Sequence, residues 1–309
     1  MKHLPIKNRT HELLLKDFGK YLQRLGYGKS TQSSLPSCLR EFFYRMEQQQ
    51  ISGLENITSD LIRNHYEYLG QRPNQSRPGT LSTSLVNHHI YALKTFIKYQ
   101  EANGNISSNP FSVLSFPKPK YPPRRVLSKE EIKALYEACQ TMREKAILAL
   151  FYGCGLRRSE AIKLNIDDVN FKSQLLYVRL GKGKRRRVVP MTGQVKRDLE
   201  NYYKHERIIY TKELTADNQK ALMLNNHGNR EQNYWERLKC LVQKAGLPNE
   251  ISLHHLRHSI ATHLLESGLS VEQVRDFLGH RHLESTQIYT HVSTVAFSEG
   301  AGIKVNQLS

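Results

Sequence analysis

The sequence predicts a mainly α-helical protein with one small antiparallel β-sheet, divided into two domains. Three observations carry that prediction. Apolar residues recur at helical spacing along most of the chain, alternating strand-like segments gather between Val169 and Pro190, and a basic, proline-rich stretch interrupts the helical texture after Pro110. At 309 residues the chain is long enough for two domains with separate cores.

From His11 to Leu25, Leu14, Leu15, Phe18, Leu22 and Leu25 follow a helical period, and Gly26 marks a stop. A second helix is predicted from about Thr31 to Gln50, burying Leu35, Cys38, Leu39, Phe42, Phe43 and Met46, with Pro36 tolerated only near its first turn. Thr58 or Ser59 caps a third helix carrying Leu61, Ile62, Tyr66 and Leu69. A loop from Gly70 to Gly79 leads to a fourth, from about Ser82 to Glu101. These four helices make a domain over residues 1–116.

In residues 117–125, Pro117, Pro119, Pro122 and Pro123 alternate with Lys118, Lys120, Arg124 and Arg125, the pattern of an extended, self-repelling linker. The second domain spans residues 126–309. It opens with a Ser128–Glu131 capping box, followed by an apolar helix from about Arg143 to Tyr152. The turn Gly153-Cys154-Gly155-Leu156-Arg157-Arg158-Ser159-Glu160 leads into a helix with Ala161, Ile162 and Leu164. Strands are predicted over Val169–Phe171, Leu175–Leu180 and Arg187–Pro190, the last two joined by a basic tip containing Gly181-Lys182-Gly183-Lys184. Helical texture returns over Val195–Ile209 and Tyr234–Ala245. It returns again from Leu253, and after a Ser270–Gln273 capping box that Gly279 closes.

Composition speaks to partners. Lys and Arg number 46 against 28 Asp and Glu, a formal charge of +18, which favours a polyanionic partner. No run approaches the ~20 apolar residues of a membrane span, and Leu13-Leu14-Leu15 lies in a polar segment unlike a signal peptide. The expectation is a cytoplasmic protein with no membrane partner. Cys38, Cys139, Cys154 and Cys240 lack paired spacing and read as free thiols.

The block from Ile251 to His291 concentrates the chemistry. His254 and Arg257, three residues apart on a helix, share a face; Gly279 presents His280 from a turn; Tyr289 follows. Cations and imidazoles around a phenol call for an anionic ligand. The string His254-His255-Leu256-Arg257-His258 lacks the glutamate of a zinc-hydrolase helix, and Asp167-Asp168 point apart, so neither a metal nor another cofactor is expected. Taken singly, each signal is weak: Arg157 reads more readily as a surface arginine, Lys182 could be only a solvated hairpin tip and Tyr289 a packing residue.

In order, Gly-Leu-Arg157-x-Ser-Glu, Gly-Lys182-Gly, His254-x-x-Arg257, Leu-Gly-His280 and Tyr289 resemble the tyrosine recombinases of the phage-integrase family, in particular their Xer-like branch. The resemblance implies an N-terminal core-binding domain of SAM-like fold, a basic linker and a catalytic domain. It implies Tyr289 as nucleophile toward a DNA phosphodiester, giving a 3′-phosphotyrosyl link. Arg157 and Arg257 would embrace the phosphate, Lys182 protonate the leaving 5′-oxygen, His254 move the tyrosine proton and His280 bond the phosphate. Lys118, Lys120, Arg124, Arg125, Arg158, Lys184, Arg185, Arg186 and Arg187 are candidates for DNA-backbone contact. The implied partner is double-stranded DNA with a specific recombination site, held by a homotetramer, or a heterotetramer with a related recombinase, on two sites joined through a Holliday junction. Type IB topoisomerase-like relaxation and a non-catalytic DNA-binding module are the alternatives. The tail from Val292 to Ser309, broken by Gly300 and Gly302, departs from the docking helix that the family implies.

Overall fold

Four helices build the first of two units into which the chain divides, Met1–Pro122 and Pro123–Ser309. The computed structural model describes residues 4–118, 125–179, 186–211 and 216–279. Side chains set three of the four helix starts. Asn8 accepts from Thr10 N ahead of α1 (Arg9–Arg24), Thr58 from Leu61 N ahead of α3 (Ser59–Gln71), and Ser82 from Leu85 N ahead of α4 (Thr83–Ala102). Between them α2 (Lys29–Gln48) begins after Gly28, two residues earlier than its periodicity predicts. Pro36 therefore lies two turns inside the helix rather than in its first turn, where its ring removes the bond to the Gln32 carbonyl. Phe96 meets Phe18 and Phe43 edge to face, each at 5.5 Å, in the core of this unit.

A polar cluster lies beneath that core. Arg72 Nη2 donates to Glu41 Oε2 at 3.0 Å, and the buried His89 ring has Nδ1 3.9 Å from the same carboxylate oxygen. His65 lies against Arg45 and Phe42. Burial, then the charges of Arg72 and His88, hold His89 down at about 4, and burial with Arg45, His89 and Arg72 pushes His65 well below the usual histidine range. Both rings are thus neutral when folded and take up protons on unfolding from about pH 6.5 downward. Stability should fall as pH drops from about 6.5 toward 4, by up to ~3 kcal/mol from His89 alone. Urea unfolding followed by circular dichroism at pH 7, 5.5 and 4.5 checks this. A His89→Leu chain should lose less stability over that range, and an identical pH slope in the variant would sink the assignment.

The second unit is also mainly helical. Reciprocal capping boxes open α5 (Lys129–Glu137) at Ser128/Glu131 and α6 (Met142–Leu148) at Thr141/Glu144. After α7 (Arg158–Lys163) come β1 (Val169–Asn170), β2 (Leu175–Val178) and β3 (Arg187–Pro190), an antiparallel sheet in that order, with Leu176 opposite Val189 and both buried. The chain continues through α8 (Gly193–Asn201), α9 (Ala216–Lys220), α10 (Tyr234–Lys244), α11 (Leu253–Glu266) and α12 (Val271–Leu278). Ile147, Leu150, Phe151, Leu199, Tyr202, Tyr234 and Leu256 belong to its main core.

Two predicted helices are shorter and more broken than their periodicity implies. The helix expected over Arg143–Tyr152 passes at Ala149–Gly153 into a wide π turn, and the one expected over Val195–Ile209 does the same at Tyr202–Glu206 before a 3-10 turn. In the second case tertiary bonds fall within the wide turn: Tyr202 Oη accepts from Leu224 N at 3.0 Å and Glu206 Oε2 from Arg143 N at 2.8 Å. Among the described residues no helix is long and apolar enough to cross a membrane.

Candidate active site

The wide turn after α6 is what delivers Arg157. Cys154 N donates to Ala149 O at 2.8 Å and Leu156 N to Leu150 O at 3.0 Å, so the helix widens and then turns out. Two glycines make this possible for different reasons. A Cβ on Gly153 would lie 2.3 Å from Val195 Cγ2, whereas Gly155 has φ +56° and a Cβ there would lie 2.8 Å from Leu278 Cδ2. Arg157 then occupies the extended N-cap position of α7.

Three guanidinium groups converge on the end of α12. Arg187 Nε donates to Phe277 O at 3.0 Å, Arg257 Nη2 to Leu278 O at 2.7 Å, and Arg157 Nη2 to Gly279 O at 3.3 Å. Arg157 Nη1 also reaches Leu278 O at 3.5 Å, so Arg157 and Arg257 share one acceptor. Arg257 donates as well to Gly155 O, which ties α11 to the turn before Arg157. A helix C-terminus carries about half a negative charge and unsatisfied carbonyls, so it attracts these cations. Gly279, at φ +65°, completes the left-handed cap that turns those carbonyls outward.

Glu160 holds the cluster together. Its side chain is fully buried, with Oε1 accepting from Arg157 Nη1 and Arg187 Nη1 and Oε2 from Arg157 N and Arg187 Nη2, all at 2.9 Å. Burial pushes its pKa upward, but the Arg187 fork and the N–H and charge of Arg157 outweigh burial and hold it at about 2. Three guanidiniums against one carboxylate leave an excess of two positive charges. That excess makes the end of α12 electrostatically suited to an anion.

His254 stands exposed one turn before the buried Arg257 on α11. It lines a cleft of about 390 Å³ with Arg157, Arg158, Ser252 and Trp235, the chain's single tryptophan. Leu253 and Leu256 on the same helix enter the core, which fixes the helix's rotation. Among the described residues no cluster of histidine, cysteine or carboxylate side chains is arranged to hold a metal ion.

Of the six candidate catalytic positions, Arg157, His254 and Arg257 come together around this cleft and the end of α12. Lys182, His280 and Tyr289 lie outside the described residues, as do Lys120, Arg124, Lys184 and Arg185. The remaining backbone-contact candidates divide. Lys118 and Arg186 are exposed, the latter beside Arg179 and Val188 along a groove of about 410 Å³. Arg158 is exposed but clamps Gln232 O with Nε and Nη2 at 3.2 and 2.8 Å. Arg125 pairs with Glu131 and Glu250, and Arg187, largely covered, pairs with Glu160, so both have intramolecular carboxylate partners. The signal for Arg187 was strand alternation: it shares the inward face of β3 with Val189.

Residues 125–295 match the sequence model of the phage integrase family. Tyrosine recombinase XerA of Pyrococcus horikoshii is 32% identical over 288 residues, covering 91% of this chain and 90% of that protein. Tyrosine recombinase XerC of Oceanobacillus iheyensis is 31% identical over 290 residues, covering 91% and 92%. In fold, the chain is similar to the Tn1549 transposon integrase solved in complex with transposon right end DNA, with a TM-score of 0.70, 18% identity, and coverage of 89% of this chain and 94% of that one.

Proposed function

The chain belongs to the phage integrase family as a tyrosine recombinase, an enzyme of DNA strand exchange, and from that premise we propose that it cuts and rejoins duplex DNA at a specific site through a 3′-phosphotyrosyl intermediate. The observation that carries this reading is the convergence of Arg157 and Arg257 on Leu278 O, one residue before Gly279 and two before His280. Two forks brought to one point offer the paired donors that a phosphodiester's non-bridging oxygens require.

The chemistry follows from charge. Tyrosine is a weak nucleophile at neutral pH because its usual pKa is about 10, and its attack crowds further negative charge onto the phosphate. Arg157 and Arg257 offset that charge with preorganised donors. Tyr289 Oη forms a bond to phosphorus, the bond to the 5′-oxygen breaks, and Lys182 supplies the proton that the leaving oxygen takes. His254 accepts the tyrosine proton and His280 bonds the phosphate. Attack by a 5′-hydroxyl of the other duplex then reverses the step and frees Tyr289. The covalent link preserves the bond's energy, so the cycle consumes no ATP and uses no metal. Four protomers on two sites, alike or paired with a related recombinase, would pass through a Holliday junction. The enzyme would work in the cytoplasm, where its excess of basic residues meets DNA.

The test is a duplex nicked near the cleavage position within the cognate site. The expected result is a covalent adduct at the 3′ phosphate, mapped by peptide sequencing to Tyr289. No adduct on a verified site, or an adduct at another residue, would refute the proposal. Products joining two parental duplexes separate recombination from relaxation.

A further inference from the structure

Resting on that reading of the site, we infer that Arg187 is a positioning residue of the cleavage reaction, which holds the phosphate-binding arginines in register rather than gripping DNA itself. Its place in the sequence suggests the opposite, since it ends the basic run from Lys182 to Arg187. Geometry decides otherwise. Only 9% of the side chain is exposed, and each of its three nitrogens has a protein acceptor: Phe277 O for Nε, and the two oxygens of Glu160 for Nη1 and Nη2. The stem is used as well. A Cβ added to Gly279 would lie 2.9 Å from Arg187 Cδ, so the left-handed turn before His280 rests directly on it.

One side chain thereby joins three segments. Through Glu160 it reaches Arg157, because the same two carboxylate oxygens accept from both arginines. Through Phe277 O it fixes the end of α12, onto which Arg257 and Arg157 also bond. Along the backbone it begins β3, five residues after Lys182. Without Arg187, Glu160 keeps only Arg157 as its cationic partner here, which draws that fork inward, and Phe277 O loses a donor. Lysine does not substitute: an ammonium is a point charge and cannot span both carboxylate oxygens and a carbonyl in one plane.

Arg187→Lys and Arg187→Ala distinguish positioning from phosphate contact. In single-turnover cleavage of a saturated, nicked cognate duplex, both variants should lose about 10²-fold in rate, the cost of a misplacement of about 1 Å. DNA affinity and its dependence on salt should match wild type in both. A phosphate contact gives a different pattern: Arg187→Lys cleaves at the wild-type rate, while Arg187→Ala binds more weakly with a salt slope reduced by about one. That outcome overturns the inference while leaving the recombinase reading intact. Failure of wild type to form an adduct on the same duplex refutes the recombinase reading, and the inference with it. Should Arg187→Ala fail to fold, Arg187→Lys, Glu160→Gln and their double variant decide. If the two residues act as one unit, the double variant cleaves no more slowly than the slower single variant. Losses that multiply would overturn the unit.

Discussion

Replacing Arg257 by alanine is expected to slow DNA cleavage by about 10²–10³-fold at saturating DNA, the usual effect of removing one preorganised donor from an oxyanion site. The residue is 6% exposed at the start of α11 and already spends two bonds on Gly155 O and Leu278 O, so its fork is fixed before substrate arrives. Arg257→Lys should recover little, because charge is restored without the fork. A stability cost is expected too, about 1–3 kcal/mol for the buried Gly155 carbonyl that loses this donor. The measurement is therefore single-turnover cleavage on protein whose folded fraction has been checked by near-UV circular dichroism. A folded Arg257→Ala protein that cleaves within tenfold of wild type would remove Arg257 from the proposed chemistry.

Glu160→Gln is expected to destabilise the second unit by about 3–5 kcal/mol, because it leaves the Arg187 and Arg157 guanidiniums facing an amide in a buried site. The sign of the pH dependence is specific. Glu160 is held at about 2 in the folded chain, so its contribution is complete above the ordinary carboxylate range and disappears as pH falls from about 4.5 toward 2. Wild type and variant should accordingly converge in acid. Trp235 lies in the second unit, and its emission follows urea unfolding there at pH 7, 4 and 3. A gap as wide at pH 3 as at pH 7 would mean that the carboxylate charge is not what holds the arginines.

Much of this architecture is written locally. The helices of the first unit begin within about two residues of where polar caps and apolar periods place them, and the Ser128/Glu131 and Ser270/Gln273 boxes form as their spacing requires. The placement of Arg157 after a glycine-bounded turn, and of His254 one turn before Arg257 on α11, is legible from the glycines and the helical spacing. What escaped was long-range. The partner of Arg187 is 27 residues away and that of Arg125 is 125 residues away for Glu250, separations over which no periodicity speaks. Both arginines lie in basic runs that look solvent-bound, and only strand alternation at Arg187 hinted at burial. The broken helices have the same origin: apolar spacing is satisfied across the Ala149–Gly153 and Tyr202–Glu206 turns, while the backbone widens to meet tertiary demands. Pro36 shows the reverse, a local breaker overridden by the packing of α2 against α1 and α4.

The wide turn at Ala149–Gly153 bears on how this chain tolerates changes in length. Each helical residue advances the backbone by about 100°, and a π turn is equivalent to one residue inserted into an α-helix. Deleting a single residue there would restore a regular helix and at the same time rotate the exit toward Arg157 by roughly that angle, away from Glu160 and the end of α12. Substitutions along α6 are a matter of fit; a one-residue deletion after it changes the phase of α7 and of Arg157 at its N-cap. The geometry therefore constrains the number of residues from Ala149 to Arg157 as well as their chemistry.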